Sequence, residues 1–483
     1  MPGEPLKTKD WTQDDFIRQY YPSAHNIHNP MFYPDIWREI EEPILDAEGN
    51  DTGKTTRNTY VEKVPRYAFA FQQIITLKHL VHLCGNDIQF DLNAQKEDEK
   101  TSTDFRQFRD GWQGKDMEHA FYEFAKSVKT TGDAAFVAYI ENGKFGWDVF
   151  SRLKGDGLYP HYGHDGRLDV FARTYNDYLP DGTVVERMEV WDRKFLHRLH
   201  KSSDPKDSVP TLYFGEGSFQ YSLDGYVYDD PKKGKIPHGF TNRVPISYHR
   251  NENGPCWSPS QDSIEEYEIS FSQMAHNNKA FGEPIMYLKG DNVEANHDFN
   301  GTIKTITMGQ DDEAGYLAGQ SASESYMKEL KDLHDLIYEQ SFIVTPPELK
   351  SGDLPAAALK ILYSPAVEKG MNDAEEFTPA LNEIVYLFSF GYGVEVKKSL
   401  DFVNLPLRPW IKVYIHTNES AVMADLAVGV QNGFISKRTA SERAWFYAVA
   451  TEKERLAEEA KLAEQADILA AYEAQRFSQQ NSE

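Results

Sequence analysis

Apolar positions along this chain change period twice, from helical to strand-like and back. Asp10 to Asp91 reads as mostly helical, with Asp14–Tyr21 a short helix. A polar stretch at Asp46–Thr56 (DAEGNDTGKTT), rich in Gly, Asp and Asn, predicts a hairpin or loop. Over Arg66–Leu83 the spacing predicts a helix carrying Ile74, Leu77, Val81 and Cys84 on one stripe. Gly85-Asn86, which tolerate a left-handed backbone, end it. A further helix over Asp116–Thr130 carries Phe121, Phe124 and Val128.

Between Gly132 and Tyr248 the period shortens to two. Ala135–Ile140, Trp147–Phe150, Leu168–Tyr178, Val184–Trp191 and Phe195–Leu199 read as strands. Turn signals at Glu141-Asn142-Gly143, His164-Asp165-Gly166 and Pro180-Asp181-Gly182 make them an antiparallel meander. Helix returns over Gln261–Phe281, where Ile264, Tyr267, Phe271 and Met274 share a face and Pro284 marks the end. Ile285–Ala318 reads as short strands and turns. Another helix starts at Ser323, with Tyr326, Leu330, Leu333 and Ile337 as its stripe, and stops at Thr345-Pro346-Pro347.

A long helical pattern then runs from Pro355 to Phe390, roughly 50 Å if straight. Pro365 and Pro379 lie within it and predict at least one kink or break. Trp410–Thr417 reads as a strand. Ala421–Gln431, closed by Asn432-Gly433, and Ser436–Tyr447 read as helices. Thr451–Phe477 is rich in Ala, Glu, Lys and Gln and reads as a long exposed helix.

A chain of 483 residues exceeds what one core serves, so two to four sub-domains are expected. With 40% hydrophobic and 26% charged residues, it has the composition of a folded soluble protein. The most apolar run, Ile74–Cys84, is interrupted by Lys78, His79 and His82 and falls short of the roughly 18 residues of a membrane span. Met1–Asp10 has no apolar stretch of the secretory kind. Cys84 and Cys256 fit neither a disulfide framework nor a zinc spacing and read as free thiols. A net charge of −25 disfavours tight gripping of nucleic acid, which needs many Lys and Arg; it fits ordinary solubility and a wall past which nucleic acid slides equally well, and charge alone does not choose between them.

Catalytic signatures are sparse. The chain contains no G-x-x-x-x-G-K-[ST] phosphate loop, no G-x-S-x-G elbow and no H-E-x-x-H pair. His161 with His164, and His25 with His28, lack neighbours that would complete a metal site. Abundant carboxylates and 13% aromatic residues leave a carbohydrate-active enzyme as an alternative.

The order of segments resembles the portal proteins of long-tailed phages, from about Arg66 to Tyr447. Ile74–Cys84, Gly85 and Ile88-Gln89-Phe90 are similar to that family's early helix, turn and extended segment. Thr131–Phe136 is similar to its strand entry. Leu158–Tyr162, Leu168–Tyr175 and Arg187–Trp191 are similar to its next strands. Ile236–Phe240, Arg243–Ile246 and Arg250–Asn253 are similar to a Pro-His segment and asparagines preceding a helix. Ala357–Lys360 resembles the opening of its long helix, and Asn432–Thr439 its C-terminal turn. Asp353–Ala356 departs from the family's small residues, and Asp262 alone represents its usual aspartates.

The resemblance implies an α+β portal fold in a closed ring of about twelve subunits, with helical stem and crown, mixed α/β wing and a small β-containing clip. The wing would be residues 1–260 with strand 410–417, and the stem 261–281 and 323–340. The clip would be 282–322, the tunnel loop 342–355, the long kinked helix 356–393 and the crown 421–483. Lys328, Lys331, Glu348, Lys350, Ser351 and Asp353 become candidates to face DNA. Asn292, Glu294, Asp298, Asp311, Asp312 and Glu313 become candidates for partner docking in the clip. Implied partners are double-stranded DNA, passing non-specifically, the terminase, a head–tail adaptor, and the major capsid and scaffolding proteins. The implied place is the capsid portal vertex of the virion, with assembly in the host cytoplasm. No cofactor, metal or membrane is expected. Another ring-forming head–tail protein, such as an adaptor, is the remaining alternative, disfavoured by the long helix.

Overall fold

The computed structural model describes Tyr20 and residues 36–45, 51–62, 66–92, 99–202, 211–214, 219–222, 225–230, 234–281, 285–289, 294–297, 303–307, 313–317, 323–344, 361–415 and 419–433. The chain divides into two compact units. One comprises residues 1–343 with 368–414, the other residues 344–367 with 415–483.

In the first unit, β1 (Ile36–Leu45) and β2 (Asp51–Glu62) form an antiparallel hairpin. The hairpin expected about Asp46–Thr56 is thus present, and its arms extend into flanks expected to be helical, where Thr59 and Val61 favour a pleated strand. The Asp14–Tyr21 helix lies outside the described residues apart from helical Tyr20.

Helix α1 (Phe71–Cys84) begins five residues later than expected, and its orientation corrects the predicted stripe. Phe71, Ile75, Leu80 and Leu83 face inward, whereas Ile74, Leu77 and Val81 are exposed. Apolar residues lie all around this helix, so periodicity alone could not choose the face. Gly85 is right-handed (φ −76°) and serves a different purpose from the one predicted. A Cβ there would meet the Tyr414 side chain at 2.8 Å and the Val81 carbonyl at 2.3 Å.

β3 (Gln89–Leu92) leads to α2 (Glu99–Gly114), which hydrophobic periodicity does not announce, and then α3 (Met117–Thr131). Phe121, Phe124 and Val128 are buried as predicted. Gly132, left-handed at φ +90°, caps α3 by donating to the Val128 carbonyl and turns the chain into a strand.

β4 (Asp133–Glu141) and β5 (Lys144–Ser151) form a hairpin across Asn142 and Gly143, both at positive φ. They belong to a three-stranded sheet of their own. The meander proper is β6 (Gly157–Tyr162), β7 (Leu168–Tyr178), β8 (Val184–Trp191) and β9 (Phe195–Lys201). A small hairpin, β10 (Thr211–Phe214) with β11 (Phe219–Ser222), follows. β12 (Tyr226–Tyr228) and β13 (Lys235–Pro237) both add to β9. β14 (Ile246–Arg250) returns to pair with β4.

β4 is buried on both faces, which explains its unbroken apolar run. Ala134, Phe136 and Ala138 face a helical core with Phe121, Phe124, Phe377, Leu381 and Phe388. Ala135 and Val137 face an inter-sheet core with Phe150, Phe171, Trp191 and Ile246. Arginine–carboxylate pairs tie the strands together: Arg152 to Asp133 at 2.6 Å, and Arg173 to Asp156 at 2.8 Å.

Helix α4 (Gln261–Phe281) is followed by β15 (Ile285–Lys289), β16 (Glu294–His297), β17 (Ile303–Thr307) and β18 (Glu313–Leu317). The pairs β15–β18 and β16–β17 nest as successive antiparallel ladders. Helix α5 (Ser323–Gln340) then runs back along α4 with Leu330 and Ile337 buried.

Ile361 and Leu362 are helical, and a turn at Tyr363 breaks the expected long helix before α6 (Ser364–Glu395); its expected start lies outside the described residues. Pro365 therefore sits in its first turn, where the missing N–H costs nothing. Pro379 lies inside the helix. Gly391 admits the Phe145 ring, which a Cβ would meet at 2.5 Å. Helix α7 (Ser399–Val403) and β19 (Leu407–Trp410) complete this unit, β19 pairing with β3. The strand predicted at Trp410–Thr417 is thus displaced. Residues 411–415 run without a ladder because α1 takes their backbone groups: Tyr414 N donates to His82 O, and His82 Nδ1 to Tyr414 O, both at 2.8 Å.

In the second unit, α8 (Glu419–Gln431) ends at Asn432 and Gly433, the latter left-handed at φ +74°. The helices predicted at Ser436–Tyr447 and Thr451–Phe477 lie outside the described residues. Among the described residues no helix is long and apolar enough to cross a membrane.

Candidate functional site

Three elements converge where α5 ends. Helices α4 and α5 are antiparallel, joined by Ser270 Oγ to Glu329 Oε1 at 2.7 Å, Ser263 Oγ to Gln340 Oε1 at 3.3 Å, and the hydroxyls of Ser260 and Ser341 at 2.7 Å. The segment leading into α1 clasps this pair from one side. Tyr67 and Phe69 place their rings edge-on against Phe271, and Phe69 and Phe71 theirs against Tyr267. The backbone N–H of Phe69 donates to Glu268 Oε1 at 2.8 Å. Burial pushes the Glu268 carboxyl up to about 8, against the hydrogen bond from Phe69 and with added repulsion from Glu265. The group is therefore mostly protonated at neutral pH.

The exit from α5 is fixed at each residue. Ser341 N donates to Ile337 O, and Ser341 O accepts from His79 Nε2 at 2.7 Å. Phe342 adopts a left-handed backbone (φ +56°), and Ile343 N reaches back to Tyr338 O at 2.9 Å. This closes a Schellman-type cap with a non-glycine residue at its left-handed position. Ile343 is buried beside Ile337, Trp257 and Ile75. The first of the two stretches that make up the first unit ends at this residue.

Behind His79 lies a buried charged node. Lys129 of α3 places Nζ 2.6 Å from Asp373 Oδ1 of α6, both side chains fully buried, and Lys369 reaches the same oxygen at 2.6 Å. Burial alone would raise the Asp373 carboxyl, but the two ammonium groups outweigh it and hold it below the usual range. Burial lowers His79 to about 4, against the opposing pull of its Ser341 bond and Asp373. His249 falls to about 4 through burial and the nearby Lys129 charge. Both imidazoles are neutral at pH 7. Burial raises the free thiols, Cys84 to about 12 and Cys256 to about 11, so neither is a reactive thiolate.

Two clefts carry charged side chains. One, of about 530 Å³, is lined by Arg167, Arg193, Arg243 and Glu383, with Glu383 bonded to Arg243. The other, of about 310 Å³, contains Asp87, Asp116 and Glu118. Burial raises Glu118 to about 6, but its oxygens already accept from Trp112 Nε1 and Ile88 N. Among the described residues no group of three or more His, Cys, Asp or Glu is placed to hold a metal ion.

Of the residues singled out for DNA, Lys328 and Lys331 are exposed on α5. Glu348, Lys350, Ser351 and Asp353 lie outside the described residues. Of the clip candidates, Glu294 and Glu313 open β16 and β18, while Asn292, Asp298, Asp311 and Asp312 lie outside the described residues. Sequence reading missed the Lys129–Asp373–His79 node. Its one sequence signal is a lysine on the inward side of α3.

The profile of one family, described as "Phage portal protein, SPP1 Gp6-like", matches residues 8–466. The chain belongs to this phage portal family. Its members are virion structural proteins rather than enzymes. Among curated proteins none matches. One solved structure the portal chain resembles is titled "Virion of native gene transfer agent (GTA) particle", at 9% identity and a TM-score of 0.36, covering 77% of this chain and 88% of that one.

Proposed function

We propose that this chain is the portal subunit of a tailed phage. About twelve copies form a ring at one capsid vertex, through which double-stranded DNA enters during packaging and leaves at ejection. The observation that carries this reading is the family match across residues 8–466. The antiparallel pair α4–α5, with two nested β ladders between its helices, supports it as a stem bearing a clip. The wing is residues 1–260 with the returning segment near 410, the tunnel loop 342–355 and the crown 421–483.

The clip docks the terminase motor during filling and head–tail connector proteins afterwards, with ATP hydrolysis belonging to the motor. Twelve copies carry a formal charge of about −300, so the wall repels phosphate and DNA slides without being held. Lys328, Lys331 and Lys350 temper that repulsion as basic rings. Major capsid and scaffolding proteins surround the ring in the host cytoplasm during assembly. Electron micrographs and native mass of the purified full chain are expected to show a ring of about twelve. A monomer at every concentration, with no ring in capsids, overturns the reading.

A further inference from the structure

The outward face of α1 is left exposed by the described residues. Ile74, Leu77 and Val81 are 37%, 50% and 42% exposed and form one stripe at i, i+3 and i+7, with exposed Lys78 beside them. The opposite face is fully engaged. Gln72 donates to Gln261 Oε1 at 3.2 Å, His79 holds Ser341 and His82 holds Tyr414. The helix therefore cannot roll to bury its outer stripe without breaking three side-chain bonds to separate elements. A helix with apolar residues on both its inner and its outer face calls for packing on both. What completes this one must come from outside the fold just described.

Charge identifies the partner. The chain carries 76 Asp and Glu, yet none of the fourteen residues of α1 is acidic, and its outer face holds a lysine. Two copies at −25 each repel one another wherever carboxylates face carboxylates. A contact between copies is favourable where one surface is free of acid, apolar at its centre and basic at its edge. The α1 stripe meets all three conditions, and the carboxylate-rich surface of a second copy supplies the complement to Lys78.

We propose that the exposed stripe of α1, Ile74, Leu77, Lys78 and Val81, is a subunit–subunit contact that docks against an acidic surface of a neighbouring copy. This rests on the ring reading and assigns one side of each contact within the ring.

The test uses the full chain. Leu77→Glu places a charge at the centre of the stripe, and Lys78→Glu reverses its edge charge without touching the core. Each is expected to need about tenfold more protein than the wild type to reach the same ring fraction by native mass measurement. Leu400→Glu, at an exposed apolar position of α7, is the control expected to assemble normally. Unchanged circular dichroism and melting of the variants exclude misfolding. A photo-crosslinking residue at position 77 reads the contact directly, and a covalent dimer is expected.

Wild-type rings with normally assembling variants and no inter-chain crosslink overturn the α1 contact and leave the portal reading standing. A crosslink to another segment of the same chain also overturns it. A wild type that never forms rings overturns both.

Discussion

The ammonium of Lys129 lies 2.6 Å from the carboxylate of Asp373, with neither side chain exposed to solvent. The pair joins α3 to α6 across the centre of the helical core, with the Lys129 ammonium 5.5 Å from the centroid of the Phe377 ring. Removing one partner strands the other charge in a low-dielectric interior. Asp373→Ala is expected to destabilise the fold by about 3–5 kcal/mol, read by urea unfolding. Lys129→Met combined with Asp373→Leu is expected to recover most of that loss, because the fully buried ammonium is gone and Lys369, which is partly exposed, can turn to solvent.

Acid sensitivity should trace in part to His79. The imidazole titrates near 6.5 in the unfolded chain and near 4 in the folded one. The unfolded state thus binds a proton first as pH falls, and stability drops between about pH 6.5 and 4, by up to about 3 kcal/mol. His79→Gln retains a donor for the Ser341 carbonyl and removes the titration. Its melting temperature should fall less steeply than that of the wild type across this window.

Glu268 acts at the other end of the scale. Its carboxyl is raised from 4.5 to about 8, so the unfolded chain loses this proton first as pH rises. Stability therefore falls between about pH 4.5 and 8, by on the order of a few kcal/mol. Glu268→Gln, which keeps an acceptor for the Phe69 N–H, is expected to melt higher than the wild type above pH 7 and to lose that advantage near pH 4.5.

The proposed tunnel loop has its own test. Deleting Glu348–Asp353 should leave ring assembly intact and impair packaging of DNA into capsids, measured by nuclease protection. Packaging at the wild-type rate would show that the loop lies elsewhere.

Much of the architecture was legible before the structure. Leu168–Tyr178, Val184–Trp191 and Gln261–Phe281 form the expected elements residue for residue, because alternation or a single-faced stripe sits between strong turn signals. Helix α2 was hidden because its inward face amounts to little more than Phe108 and Trp112, amid charged residues that bond elsewhere, as Asp104 does with Lys398. The orientation of α1 was illegible for the opposite reason: with apolar residues on every side, its pattern names no inner face.

The charged node at the exit of α5 was equally beyond reach. Lys129, Asp373 and His79 come from three helices spread along the chain, and their meeting depends on tertiary packing. The portal resemblance rested on the order of weak segments, and the family match spans them. Of the candidates to face DNA, the described part of the structure contains Lys328 and Lys331, both exposed.

The closed end of α5 has a mechanical consequence. A helix under tension usually peels from its terminus, where the last carbonyls have no partner. Here the Tyr338 and Ser341 carbonyls are already taken, by Ile343 N and by His79, and Ile343 is wedged among apolar side chains. A pull on the chain beyond Val344 therefore has no loose end to unzip. It loads these bonds in shear and spreads into α1 and α4 together, so tension there would strain a braced joint rather than unravel a single helix.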